Sequence, residues 1–152
     1  MESNEKIVDV LNELIQINND RKEGYERASK ETNETDLKAL FNGFASKSHM
    51  LISQLSSEVT KRGGKPTDST TASGKIFRVW MDFKAALTGK DRKAILSSCE
   101  FGEDAAQEVY DNAIKSGIGL PADILQLISD QKSNLRQDHD EVKSLRDVEI
   151  HK

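Results

Sequence analysis

Residues 98–113 read Ser-Cys-Glu-Phe-Gly-Glu-Asp-Ala-Ala-Gln-Glu-Val-Tyr-Asp-Asn-Ala. Cys99, Ala106, Val109, Tyr110 and Ala113 recur at helical spacing and form one apolar stripe. Gly102 and Glu103 break it near its middle. A small residue there admits another helix at close range, and a carboxylate there must find a partner or water. Each of the other long helical patterns also carries a polar break near its midpoint. A chain of this kind can fold only if those breaks satisfy one another or reach solvent.

The patterns predict five helices. The first runs over about 4–30, with Ser3 or Asn4 as cap and Ile7, Leu11, Leu14, Asn18, Tyr25 and Ala28 on one face. Its break is Asn18, flanked by Arg21 and Lys22, with Glu23 beside the face. The second runs over about 34–62 and is capped by Asn33 or Thr35, with Asp36 favouring the dipole. Its stripe is Leu37, Phe41, Phe44, Ser48, Leu51, Leu55 and Val59, with His49 beside the break at Ser48. Gly63 and Gly64 end it. A Ser/Thr-rich loop over 65–74 precedes a short apolar helix over 75–87, with Ile76, Val79, Trp80, Phe83 and Leu87 on one side and Phe77 and Met81 on an edge. Gly89 stops it and Asp91 caps the fourth helix, over 91–115. Pro121 opens the fifth, over 121–148, with Ile124, Ile128, Gln131, Leu135, Val142 and Leu145 as its stripe. Short turns within each pair and a long connection between the pairs predict two antiparallel hairpins, an all-α chain forming one domain over 1–152.

Composition narrows the function classes. The net charge is -4 with no basic tract, which argues against nucleic-acid binding. There is one cysteine, so no internal disulfide framework. No segment resembles a signal peptide or a membrane span, and the expected location is cytoplasmic.

Four segments carry a resemblance. Residues 14–25 (Leu-Ile-Gln-Ile-Asn-Asn-Asp-Arg-Lys-Glu-Gly-Tyr), 74–84 (Gly-Lys-Ile-Phe-Arg-Val-Trp-Met-Asp-Phe-Lys), 99–105 (Cys-Glu-Phe-Gly-Glu-Asp-Ala) and 137–147 (Gln-Asp-His-Asp-Glu-Val-Lys-Ser-Leu-Arg-Asp) resemble a bacterial ferritin-like family of unassigned function. The resemblance implies a ferritin-like four-helix bundle with an extra short helix in the crossover.

Ferritin-like proteins often hold two metal ions, using a Glu from each of two helices and a Glu-x-x-His pair from each of the others. No Glu-x-x-His occurs here. Ser46, Arg136 and Val148 stand three residues before His49, His139 and His151. Glu23, His49, Glu103 and His139 remain as a reduced ligand set suited to a single divalent ion such as zinc. The competing expectation is that Glu103 is paired with Arg21, Lys22 or Arg136, and that no cofactor is bound. Cys99 lies on an apolar stripe, where a thiol is usually inert. Two functions stay open. One is a non-enzymatic, stress-linked helical protein acting through a protein partner or as a homo-oligomer, joined through Phe77, Trp80 and Met81 of the crossover helix; the competing and favoured reading of that face, with Phe83, is that most of it closes the bundle end. The other is a metal-binding or oxidative-defence protein with a degenerate ferritin-like site.

Overall fold

The computed structural model describes residues 2–72, 74–116 and 118–150, and leaves aside the side chains of Glu2, Ser3 and Ile150. The described residues contain five helices and no strand: α1 (Glu2–Glu31), α2 (Thr35–Lys61), α3 (Gly74–Gly89), α4 (Arg92–Ile114) and α5 (Ala122–Ile150).

Local signals account for most boundaries, with four differences. The chain enters α1 at Glu2, so Asn4 is inside the helix, and the Ser3 side chain lies outside the described residues. At α2 the cap position is Glu34, without a side-chain cap bond; the Thr32 hydroxyl instead accepts from Glu34 N at 3.2 Å. At the end of α3 the left-handed residue is Lys90 (φ 56°), one past the expected Gly89. Pro121 precedes α5, and its carbonyl accepts from Leu125 N at 2.9 Å. Asp91 caps α4 as expected, accepting from Lys93 N, and Gly63 takes φ 76° after α2.

α1 lies against α2, and α4 against α5. Both pairs are antiparallel. Val8 of α1 meets the chain at Gly64, just past the end of α2, while Tyr25 stacks on Phe41. Arg92 at the start of α4 bonds Glu149 at the end of α5 at 2.9 Å. α1 also faces α4, and α3 packs against both. The stripes predicted for α1 and α2 are buried throughout. On α4, Val109 is only half-buried, and on α5 so is Leu145.

The connection from α2 to α3 is tied down along α1. Asn12 donates to Lys65 O and accepts from Thr67 N, Asn19 donates to Ser69 O, and Asp20 accepts from Thr71 N and Oγ1. These side chains recur on the α1 face opposite its apolar stripe, so α1 satisfies the backbone groups of Lys65, Thr67, Ser69 and Thr71 that they reach. The loop thereby carries the chain along α1 to where α3 begins.

α3 then inserts Trp80 between α1 and α4. A Cβ on Gly102 would lie 3.0 Å from Trp80 Cη2, and one on Gly24 would lie 3.1 Å from Cε3. The small break at Gly102 therefore admits an indole from the crossover. Trp80 is 2% exposed, and its Nε1 makes no hydrogen bond. As a contact to a second copy, Trp80 is out of reach; Phe77 is half-buried and Met81 exposed.

Candidate functional site

The polar breaks of all four long helices converge on one buried side chain, Arg21. Its Nε donates to Glu103 Oε2 at 2.8 Å and its Nη2 to Glu103 Oε1 at 2.9 Å, a two-pronged pair between α1 and α4. The same Nη2 donates to Asp138 Oδ2 of α5 at 3.0 Å, and Nη1 to the Ser48 hydroxyl of α2. Arg21 is fully buried, Glu103 1% exposed and Asp138 4%. The guanidinium carbon lies 5.2 Å from the Tyr25 ring centroid and 5.9 Å from that of Phe44. Of the three basic partners expected for Glu103, Arg21 is the one present. Lys22 faces an open groove with His49, and Arg136 pairs on the surface with Asp140.

Further groups complete the layer. Tyr25 Oη donates to Glu103 Oε2 at 2.8 Å and lies 3.3 Å from Cys99 Sγ. Ser48 donates to Asn18 Oδ1, Asn18 Nδ2 to Tyr110 Oη at 2.8 Å, and Tyr110 to Gln131 Oε1 at 2.7 Å. Lys47 reaches in from α2 to Asp138 Oδ1 at 2.8 Å. Two carboxylates thus face two cations, Arg21 buried and Lys47 partly exposed at the edge, and the charges of the layer balance.

The electrostatics follow from that packing. Burial alone would push the Arg21 guanidinium down, but Glu103, with Tyr25 and Asp138, outweighs it and holds the group well above its ordinary value. Burial pushes the Cys99 thiol up, and the Glu103 charge pushes it further, so it is no ready thiolate. Burial likewise raises Tyr25 and Tyr110.

The proposed ligand set does not share one place. Glu103 is spent on Arg21. Glu23 is largely exposed and bonds Lys84 of α3 at 2.6 Å. His49 is exposed on α2, lining a groove with Lys22, Glu26, Asn42, Ala45 and Ser46. His139 is buried but points between α5 and α4, with Nε2 2.7 Å from Asp104 Oδ1 and Nδ1 3.1 Å from Asp140 Oδ1. Glu100, Asp104 and His139 form the cluster of three ligand-type side chains found among the described residues, their atoms within 4.8 Å of one another. The inward positions of α2 and α5 are Ser48 and Asp138, one residue before each histidine.

A di-iron centre needs several carboxylates around two cations. This layer offers two, both bonded to a guanidinium that cannot lose its proton, so its residues do not fit such a centre.

No curated protein matches the sequence. A family described as a domain of unknown function, DUF2383, matches residues 6–116, the span that runs through α1 to α4 and includes Arg21, Ser48 and Glu103. With most of its length inside that match, the chain belongs to the DUF2383 family.

Proposed function

We propose that this is a bacterial, cytoplasmic protein of ferritin-like architecture whose centre is structural. It acts without catalysis, through self-association or a protein partner, in a stress-linked role. The observation that supports this is the set of bonds that Arg21 makes across the bundle. Its guanidinium bonds Glu103, Asp138 and Ser48 from three other helices, where a ferritin-like bundle would hold metal ions. A cation fixed to the chain balances the carboxylates where a bound metal ion would otherwise do so. For self-association the available groups on α3 are Met81, 46% exposed, and the half-buried Phe77.

The test is elemental analysis and a ferroxidase assay on protein purified without a chelating tag, with light scattering to give the mass in solution. The expected result is no stoichiometric iron, no ferroxidase activity and a mass above that of one chain. Two irons per chain, lost in Glu103→Ala, would put the oxidative-defence function in its place.

A further inference from the structure

We propose that Glu100, Asp104 and His139 form a mononuclear site for a divalent transition-metal ion at the α4–α5 seam, separate from the Arg21 layer. Glu100 and Asp104 stand four residues apart on α4 and so share a face, while Glu103 between them turns inward. His139 of α5 points at that face. One atom from each of the three lies within 4.8 Å of the others, a span that a small rotamer adjustment closes onto one ion.

The imidazole carries the argument. Its Nε2 lies 2.7 Å from Asp104 Oδ1, and its Nδ1 lies 3.1 Å from Asp140 Oδ1. A neutral imidazole has one N–H for these two carboxylates. The second contact needs either another proton or a metal ion. With Nδ1–H donating to Asp140, the Nε2 lone pair faces Asp104 and Glu100. That is the carboxylate–histidine–metal arrangement in which the outer carboxylate fixes tautomer and ring orientation.

Glu100 adds a second observation. It is 8% exposed, and its Oε2 is paired directly with the Arg146 guanidinium. Its other oxygen serves as ligand while Arg146 retains the first, since ligating carboxylates are commonly held by a second group. Around the cluster Glu100, Asp104, Asp140 and Asp147 outnumber Arg136 and Arg146, which favours a cation. One imidazole with two carboxylates suits a borderline ion such as zinc better than calcium or magnesium. Asp104, with its side chain 56% exposed, gives the entry path and leaves a fourth position for water.

The experiment titrates tag-free, chelator-stripped full-length protein with zinc chloride alone, by calorimetry, and records the visible absorption of the cobalt(II) form. The expected result is one zinc per chain. Asp104→Asn and His139→Gln each weaken binding at least tenfold and abolish the four-coordinate cobalt bands. Asp140→Asn weakens it about tenfold through the ring's orientation. His49→Gln leaves binding unchanged. Asp104 is on the surface, so its variant carries the test should His139→Gln fail to fold. Absence of stoichiometric zinc binding overturns the proposal, as does an Asp104→Asn variant with wild-type affinity. Iron in the isolated protein bears on the Arg21 layer and zinc uptake on this seam, so the two readings fail separately.

Discussion

Replacing Arg21 with Met removes the one positive charge that Glu103 faces in the core. Glu103 is 1% exposed, and Arg21 bonds both its oxygens. In the variant it keeps the Tyr25 hydroxyl, and Asp138 keeps Lys47. Breaking a buried ion pair from one side costs about 3–5 kcal/mol, because a buried charge is left uncompensated. The retained partners place Arg21→Met in the lower half of that range. For a chain of this size, the loss appears as a fall of roughly 6–16 °C in the unfolding midpoint. Removing Arg21 and both carboxylates together, as Arg21→Met/Glu103→Gln/Asp138→Asn, restores most of the loss, because no carboxylate is then stranded and Lys47, with its side chain 24% exposed, keeps access to solvent. Urea unfolding followed by helical circular dichroism measures both. A midpoint for Arg21→Met equal to wild type would refute the reasoning. So would a triple variant as unstable as the single one, which would assign the loss to packing rather than charge.

Three further outcomes follow from the same layer and its surroundings. Cys99, Tyr25 and Tyr110 hold their protons above their ordinary values in the folded chain, so the unfolded chain releases them first. Stability should therefore fall as pH rises past the ordinary thiol and phenol range, by up to about 1.4 kcal/mol per pH unit for each proton, and Tyr110→Phe should flatten that slope in a pH series of urea midpoints. Gly102→Ala puts a methyl 3.0 Å from the Trp80 ring, and the overpacking cost of about 1–3 kcal/mol exceeds the gain of about 1 kcal/mol in helix propensity; a red shift in emission from the single tryptophan reports the displacement, and an unmoved spectrum with raised stability would contradict it. Leu11→Ala, Phe44→Ala and Leu135→Ala should each cost about 2–5 kcal/mol by denaturant midpoint, with Val109→Ala costing less because that side chain is half-buried.

The helices were legible because their stripes are long and their breakers local. Leu37 to Val59 on α2 form an uninterrupted buried face, and Asp91 caps α4 through its own side chain. The path of the crossover was not legible. It depends on Asn12, Asn19 and Asp20 reaching the backbone of residues 65–71 from about fifty positions away, and nothing in the loop's own composition names those partners. The signal lay on α1, as a polar stripe opposite its apolar one. Trp80 was open to two readings for a related reason. An apolar helix in a connection reads as a sticky surface or, more often, as a plug, and Gly24 and Gly102, on two other helices, accommodate the indole as a plug.

The site was legible to within one residue, and that residue matters. The candidate ligands on α2 and α5 are His49 and His139, whereas the inward positions are Ser48, already on the predicted stripe, and Asp138. One residue on a helix is a rotation of about 100°, enough to carry a side chain from the core to a flank. The stripe residues set the rotation: Phe41, Phe44, Ser48, Leu51 and Leu55 share one face of α2, and Ile128, Gln131, Leu135, Asp138 and Val142 share one face of α5. Arg21 then enforces it. Turning α5 by one position would bring His139 toward the guanidinium, strand Glu103 and Arg21 without Asp138, and expose Leu135. An apolar core could absorb part of such a slip, but a guanidinium bonded to three other helices cannot. The same rotation that points Asp138 at Arg21 points His139 at Asp104. The charge-balanced centre and the seam cluster are thus two consequences of one helix register, and a substitution that moved α5 would disturb both.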